Sequence, residues 1–189
     1  MSFPGKYVVL RAIEETDLPK LHAWSNDPDL WSMLGGWHFP SSFSATRRWF
    51  DALQRDPLNQ RFAIETADLG LVGTANLVEI DWKNSHAFHG MMLGEPAVRG
   101  KGIGVDTIMA TMRYAFEELH LERLDGSMIE YNKASLAVYC DKCNWQVEGR
   151  QRNWYFRSGR YWDRIVVGVT RQDYLDLIAR SNYWEKATS

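Results

Sequence analysis

Three glycines at alternate positions, in Val98-Arg99-Gly100-Lys101-Gly102-Ile103-Gly104, stand between a strand-like run and a run of helical period. A strand that enters a helix through such a loop exposes bare backbone N–H groups at the helix N-terminus, where they form a site for an anion, usually a phosphate. Beyond the loop, Val105, Ile108, Met109, Met112, Ala115, Phe116 and Leu119 recur at helical spacing. The loop therefore places one βαβ-like passage inside whatever sheet the chain builds.

The elements around that passage set the fold class. Residues 7–10 read as a strand. Thr16 or Asp17 caps a helix with Pro19 in its first turn, carrying Leu18, Leu21 and Trp24 on one side, and Asn26-Asp27-Pro28 ends it. Residues 31–40 are aromatic without a clean period, and Ser44 opens a short helix bearing Trp49, Phe50 and Leu53. Strand signals follow at 61–66, 71–80 and 86–93, joined by turn chemistry at Asp68-Leu69-Gly70 and Lys83-Asn84. Residues 124–130 read as a strand, and Asn132 opens a helix running to Cys143. Residues 145–148 and 161–169 read as strands on either side of an aromatic and basic arm with a turn at Ser158-Gly159. Residues 171–179 form a last helix. This order predicts an α+β fold with a mixed, mostly antiparallel sheet. With no repeat or linker, residues 1–189 are expected to form a single domain.

Composition narrows the function classes. Apolar residues make up 45% and charged residues 24%, as in ordinary globular proteins, and the formal net charge of −2 gives no bulk attraction to nucleic acid or an anionic membrane. No apolar run approaches the ~18 residues that span a bilayer, and the N-terminus does not read as a secretory signal. Two cysteines do not make a disulfide scaffold, so a reduced cytoplasmic setting is expected. Cys140 and Cys143 fall at i, i+3 without a second ligand pair, so they read as packing residues and no metal is expected.

Three phosphate-loop readings compete with a plain tight turn. A Walker A loop needs Ser or Thr after its lysine, and Gly102 follows Lys101. A dinucleotide loop needs an acid at the end of the next strand, and Asp125 begins one. The remaining reading is a coenzyme A pyrophosphate loop. Here the chain resembles the GCN5-related N-acetyltransferases (GNAT), in the branch with ribosomal-protein, spermidine and amino-sugar acetyltransferases. The family pattern Arg/Gln-x-x-Gly-x-Gly/Ala is matched by Arg99, Gly102 and Gly104. The resemblance extends to Leu10-Arg11, Ile80-Asp81-Trp82-Lys83-Asn84 and Gly90-Met91-Met92-Leu93-Gly94. Later landmarks are Tyr131-Asn132-Lys133-Ala134-Ser135, Val138-Tyr139-Cys140 with Cys143-Asn144-Trp145, and Gly159-Arg160-Tyr161-Trp162-Asp163, so nearly the whole chain is covered.

The resemblance implies a GNAT fold of about seven strands flanked by about four to five helices, splayed between the fourth and fifth strands. It implies acetyl-CoA as co-substrate, a primary amine as acceptor, direct transfer, and a homodimer through the late strands. Gly100, Lys101, Gly102, Ile103 and Gly104, behind Arg99, would cradle the pyrophosphate. Met92 and Leu93 would lie along the pantetheine arm, with a backbone N–H near Leu93 facing the thioester carbonyl. Asn132 would hydrogen-bond that arm, and Tyr139 would protonate the leaving sulfur. From the residues alone, Asn132 is equally a helix N-cap and Tyr139 a core aromatic.

The general base is the open element. Phe88 stands where many relatives carry a glutamate, which leaves His86, His89, Glu79 or water to take the proton, and keeps alive a non-catalytic CoA-binding module. Trp31, Trp37, Phe88 and Trp154 are the expected acceptor-binding residues, with His38 near them. Arg150, Arg152 and Arg157 are available to phosphates of a nucleotide-linked sugar. A polyamine pocket should be acidic, and Glu14, Glu15, Asp17, Asp27 and Asp29 are the nearby acids. Each aromatic is also a plausible cover for the sheet.

Overall fold

A computed structural model describes residues 2–36, 39–53 and 55–185. Eight strands form one sheet: β1 (Ser2–Pro4), β2 (Val8–Ala12), β3 (Gln60–Thr66), β4 (Gly70–Asp81), β5 (His86–Leu93), β6 (Arg123–Ile129), β7 (Gln146–Arg157) and β8 (Arg160–Thr170), in the order β1-β2-β3-β4-β5-β6-β8-β7. Every neighbouring pair is antiparallel except β5 and β6. The helices are α1 (Leu18–Ser25), α2 (Pro28–Ser32), α3 (Phe43–Leu53), α4 (Ile103–Arg113), α5 (Lys133–Leu136) and α6 (Arg171–Ser181).

The sheet has one strand more than the sequence suggests. β1 is three residues long, too short for a period to register, and it pairs through Phe3 and Leu10. The aromatic and basic arm at 149–157 also joins the sheet, as the second half of β7. Its residues are exposed on both faces over most of that length, so no alternation marks it as a strand.

The period-2 pattern of the strands divides the core into two layers. Leu10, Phe62, Ile64, Leu77, Ala87, Leu124 and Val167 face α4, whose Ile108, Met109 and Met112 are buried together with Phe116 and Tyr174. Ala63, Leu71 and Met92 face the other way, toward Leu18, Leu21 and Trp24 of α1 and Trp49, Phe50 and Leu53 of α3. Burying each such large side chain is worth about 1.5–3 kcal/mol, which is why the sheet accepts helices on both sides. The Thr107 and Thr111 hydroxyls, buried within α4, donate back to the carbonyls of Ile103 and Thr107 at 2.8 and 2.9 Å.

Two features of this frame position a site. Parallel pairing of β5 with β6 is limited to His86–Arg123, Ala87–Leu124 and Phe88–Asp125. Beyond Phe88 and Asp125 the strands part, which is the splay expected between the fourth and fifth strands, here β5 and β6. The second feature is α4, which starts directly after the glycine loop at the open end of that gap.

Candidate active site

Gly100 and Gly102 have φ of +73° and +78°, in the left-handed region that glycine enters without a side-chain penalty. Gly102 is the N-cap of α4, and no side chain caps that helix. Its carbonyl accepts from the Asp106 N–H at 3.0 Å, so the amides of Ile103, Gly104 and Val105 have no partner within the helix. A Cβ placed on Gly100 or Gly102 meets open space, whereas one on Gly104 lies 3.3 Å from the Met91 methyl and 3.7 Å from Leu93. Gly104 therefore lets α4 approach β5, and the other two glycines turn the loop so that its amides face outward. Arg99 and Lys101 are exposed beside them. Asp106 sits in the first turn, but its carboxylate is buried and engaged. It accepts from the N–H groups of Lys6, Tyr7 and Val8 and from the Tyr183 hydroxyl at 2.7–2.9 Å, tying the start of the chain to α4.

Tyr139 lies across the gap from β5. α5 runs on into a π-helical stretch, Ala137–Lys142, and Tyr139 occupies its widened turn. Its carbonyl accepts from the Trp145 N–H at 3.1 Å, and its ring meets the Trp145 ring edge-on with centroids 4.9 Å apart. Burial pushes the phenol pKa upward, and Cys143 adds to that, so the group is a protonated donor near neutral pH. Asn144 ends the helix at φ +62°, the left-handed conformation expected of an Asn in glycine's usual place. Cys140 and Cys143 are free thiols, half-buried and buried, and Cys143 packs toward the Val105 carbonyl.

Two cavities adjoin this point. An inner cleft of about 570 Å³ is lined by Tyr139, Asn132 and Ser135 on one side of the gap and by Phe88, Gly90, Met91 and Met92 on the other. An outer pocket of about 620 Å³ is lined by Leu21, Trp24, Trp31, Trp49 and Met92. Leu34, Gly36, Thr74 and Met92 line both. The segment after α2 covers them and is fastened from three sides. The Tyr131 hydroxyl donates to the Ser32 carbonyl, the Asn132 amide donates to the Met33 carbonyl at 3.2 Å, and Arg157 donates to the Leu34 carbonyl at 3.4 Å. Asn132 is thus an N-cap as well, since its Oδ1 accepts from the Ser135 N–H at 3.1 Å.

The structure separates the two histidines read as bases from the cleft. His86 lies at the β4–β5 hairpin, half-buried, with Nε2 3.7 Å from Asp81, and does not line either cavity. His89 does point to the opposite face from Phe88, and there it is buried. Its Nδ1 lies 2.9 Å from the Asn76 carbonyl, and Nε2 has no partner among the described residues. Burial lowers its pKa to about 4, so it is neutral at pH 7 and a poor proton acceptor. Glu79 forms a bulge at φ +54° and is exposed outside both cavities. No carboxylate or imidazole lines the cleft among the described residues, so neither His86 nor His89 stands in its wall.

Other expectations resolve residue by residue. Trp31 lines the outer pocket, Phe88 and Trp154 line the cleft, and Leu93 packs beside Gly104 rather than on a cavity wall. Trp37 and His38 lie outside the described residues. Arg150 pairs with Glu130 and Asp163 and lines neither cavity. Arg61 and Arg164, which line the cleft, carried no signal in the sequence because their neighbours come from strands distant in the chain.

His89 makes a testable contribution to stability. The folded chain keeps it neutral down to about pH 4, whereas the unfolded chain binds a proton below about 6.5. Stability present above pH 6.5 is therefore lost as pH falls toward 4, by up to about 3 kcal/mol. Urea unfolding at pH 7 and 4.5 should show a larger acid loss for the native chain than for His89→Gln. Equal losses would contradict the assignment.

A family model described as "Acetyltransferase (GNAT) domain" matches residues 8–141. A prophage-derived uncharacterized N-acetyltransferase, YokL, of Bacillus subtilis is 29% identical over 171 residues, covering 90% of this chain and 93% of the relative. Spermidine N(1)-acetyltransferase of Vibrio cholerae is 25% identical over 169 residues, covering 89% and 96%. A crystal structure of spermidine N-acetyltransferase from Vibrio cholerae, in complex with CoA and spermine, superimposes with a TM-score of 0.83 at 25% identity, covering 89% of this chain and 98% of that one.

Proposed function

The chain belongs to the GNAT acetyltransferase family, and on that premise we propose that it moves an acetyl group from acetyl-CoA directly to a primary amine. The observation that carries this reading is that one site combines an uncapped α4 N-terminus at the glycine loop, the gap between β5 and β6, and Tyr139 in the lining of the cleft. The CoA complex of the Vibrio cholerae neighbour supports the same donor.

In this reading the amides at Gly100 and Gly102–Val105 hold the pyrophosphate, helped by the dipole of α4. The pantetheine arm lies in the gap beside Met91–Leu93, where β5 has lost its partner strand and its alternate backbone groups are open to bond it. Asn132 bonds the arm by releasing the Met33 carbonyl. The neutral amine attacks the thioester carbonyl, a C–N bond forms, and the backbone N–H near Leu93 receives the developing oxyanion. The C–S bond then breaks, Tyr139 gives its proton to the sulfur, the amine nitrogen gives its excess proton to water, and water returns a proton to the Tyr139 oxygen, which restores the acid. We assign the proton from the amine to water because the cleft offers no other base among the described residues.

The test is thiol release from acetyl-CoA with a panel of primary amines, followed across pH. Amine-dependent release is expected, with kcat/KM rising toward the pKa of each amine and without an inflection near 6.5, the pKa of an ordinary histidine. A tight CoA complex that releases no thiol with any amine would identify a non-catalytic CoA-binding module instead. Amino sugars, polyamines and protein N-termini are the acceptor classes that the sequence admits. We also propose that two copies pair along β7, one of the two edge strands of the sheet, where Val147, Trp154 and Phe156 are exposed. The free cysteines suit a reducing cytoplasm. No helix among the described residues is long and apolar enough to cross a membrane.

A further inference from the structure

Among the described residues, the lining of the inner cleft includes two arginines, Arg61 and Arg164, and no Asp or Glu. Arg61 on β3 stands opposite Asn76 of β4, and Asn76 stands opposite Gly90 of β5, so Arg61 shares the row that crosses to the gap. Arg164 on β8 stands opposite Ile129 of β6 and Gln151 of β7. Its guanidinium carbon lies 5.9 Å from the Phe88 ring centroid and 4.9 Å from that of Trp154. The two arginines therefore approach the cleft from opposite sides of β5.

Neither arginine makes an ion pair among the described residues, whereas Arg11, Arg47, Arg123 and Arg150 each meet a carboxylate. Arg164 Nη1 reaches the Gln151 side-chain oxygen at 3.5 Å, and its Nε is buried without a hydrogen-bond partner. Burial lowers the pKa of Arg61, offset in part by Asp56. A half-buried guanidinium without an anion carries a desolvation cost, and a planar fork of donors suits a carboxylate or phosphate. The acids near the N-terminus do not balance these charges. Asp17 pairs with Arg11, Glu15 with Arg47, and Asp27 caps α2. No Asp or Glu among the described residues lines either cavity. A polycation placed here would meet two guanidinium groups and no carboxylate in the lining among the described residues.

We infer that the acceptor bears an anionic group, a carboxylate or a phosphate, besides its amine, and that Arg61 and Arg164 bind that group in the inner cleft. The adjoining outer pocket, walled by Trp24, Trp31 and Trp49, takes an apolar body of the same molecule. This inference rests on the acetyl-transfer reading and names the class of its acceptor.

Two matched pairs test it: L-phenylalanine against L-phenylalaninamide, and tyramine O-phosphate against tyramine, with spermidine as the polycation. Each is titrated calorimetrically into the CoA-loaded protein, and thiol release is measured in parallel with acetyl-CoA. In at least one pair the member with the anionic group should bind about tenfold or more tightly than the twin that lacks it, and the pair that responds identifies carboxylate or phosphate. Arg61→Gln and Arg164→Gln should each remove most of that preference while CoA affinity, read at the distant glycine loop, stays unchanged and reports an intact fold. Twins lacking the anionic group, or spermidine, binding as well as the compounds that bear it would overturn the inference, as would a preference that survives both substitutions. Arginine-dependent binding without thiol release from any amine would uphold the anion site and defeat the acetyl-transfer reading.

Discussion

Tyr139→Phe should lower kcat by about 100-fold, the lower end of what a positioned acid contributes. The substitution removes one oxygen and keeps the ring, so the edge-on contact with Trp145 and the buried packing at this position survive. CoA affinity should therefore stay within about threefold, because the lost interaction belongs to the leaving sulfur in the transition state rather than to the bound donor. A structural role for Tyr139 predicts a different pattern, with lower thermal stability and weaker CoA binding. An acyl thioester with a more acidic leaving thiol separates the two further. It needs less help from an acid, so it should recover a large part of the lost rate in the variant. Stopped-flow or steady-state thiol release with both thioesters measures this. An unchanged kcat would remove Tyr139 from the mechanism.

Gly102→Val should weaken CoA binding by about 100-fold or more, through loss of aligned amides and their dipole. Gly102 holds φ at +78°, where a β-branched residue is strained. The position into which Cβ would project is open, so the chain can fold around the substitution without a clash. Relief of the strain would instead rotate the peptide groups at the N-terminus of α4, and these are the groups that face the phosphate. Gly102→Ala, less strained, should fall between the two. Calorimetry with CoA gives the affinities, and a thermal melt shifted by only a few degrees would confirm the fold. Native affinity in the valine variant would exclude the loop as the phosphate site.

The parts of the fold that were legible in the sequence are those in which one element carries its own pattern. The stripe from Ile108 to Phe116, the alternation in β3 to β5, and the glycine loop each follow from local period or local conformation. Asn132 was legible as an N-cap from its place before a helical run, as its bond from the Ser135 N–H shows, whereas the chemical roles assigned to Asn132 and Tyr139 rest on the family resemblance. β1 and the second half of β7 were not legible, because the first is too short and the second too exposed to alternate. The missing base has a similar cause. Strand parity correctly put His89 on the face opposite Phe88, but parity does not reveal that this face is sealed by Tyr139 and Trp145. Arg61 and Arg164 were illegible for the opposite reason. Each is an unremarkable charge within its strand, and only the β3–β4–β5 row and the β6–β8–β7 register bring them to one cleft. The engagement of Asn132 with Met33, almost a hundred residues earlier in the chain, is likewise visible only in three dimensions.

The central claim is that the donor threads the β5–β6 gap with its sulfur at Tyr139. A crystal structure of the protein with CoA measures this directly. The account predicts the pyrophosphate on the amides of Gly100 and Gly102–Val105, Asn132 turned from the Met33 carbonyl to the pantetheine arm, and the sulfur within about 3.5 Å of the Tyr139 hydroxyl. A CoA molecule that leaves the gap closed, or whose sulfur ends away from Tyr139, would contradict it.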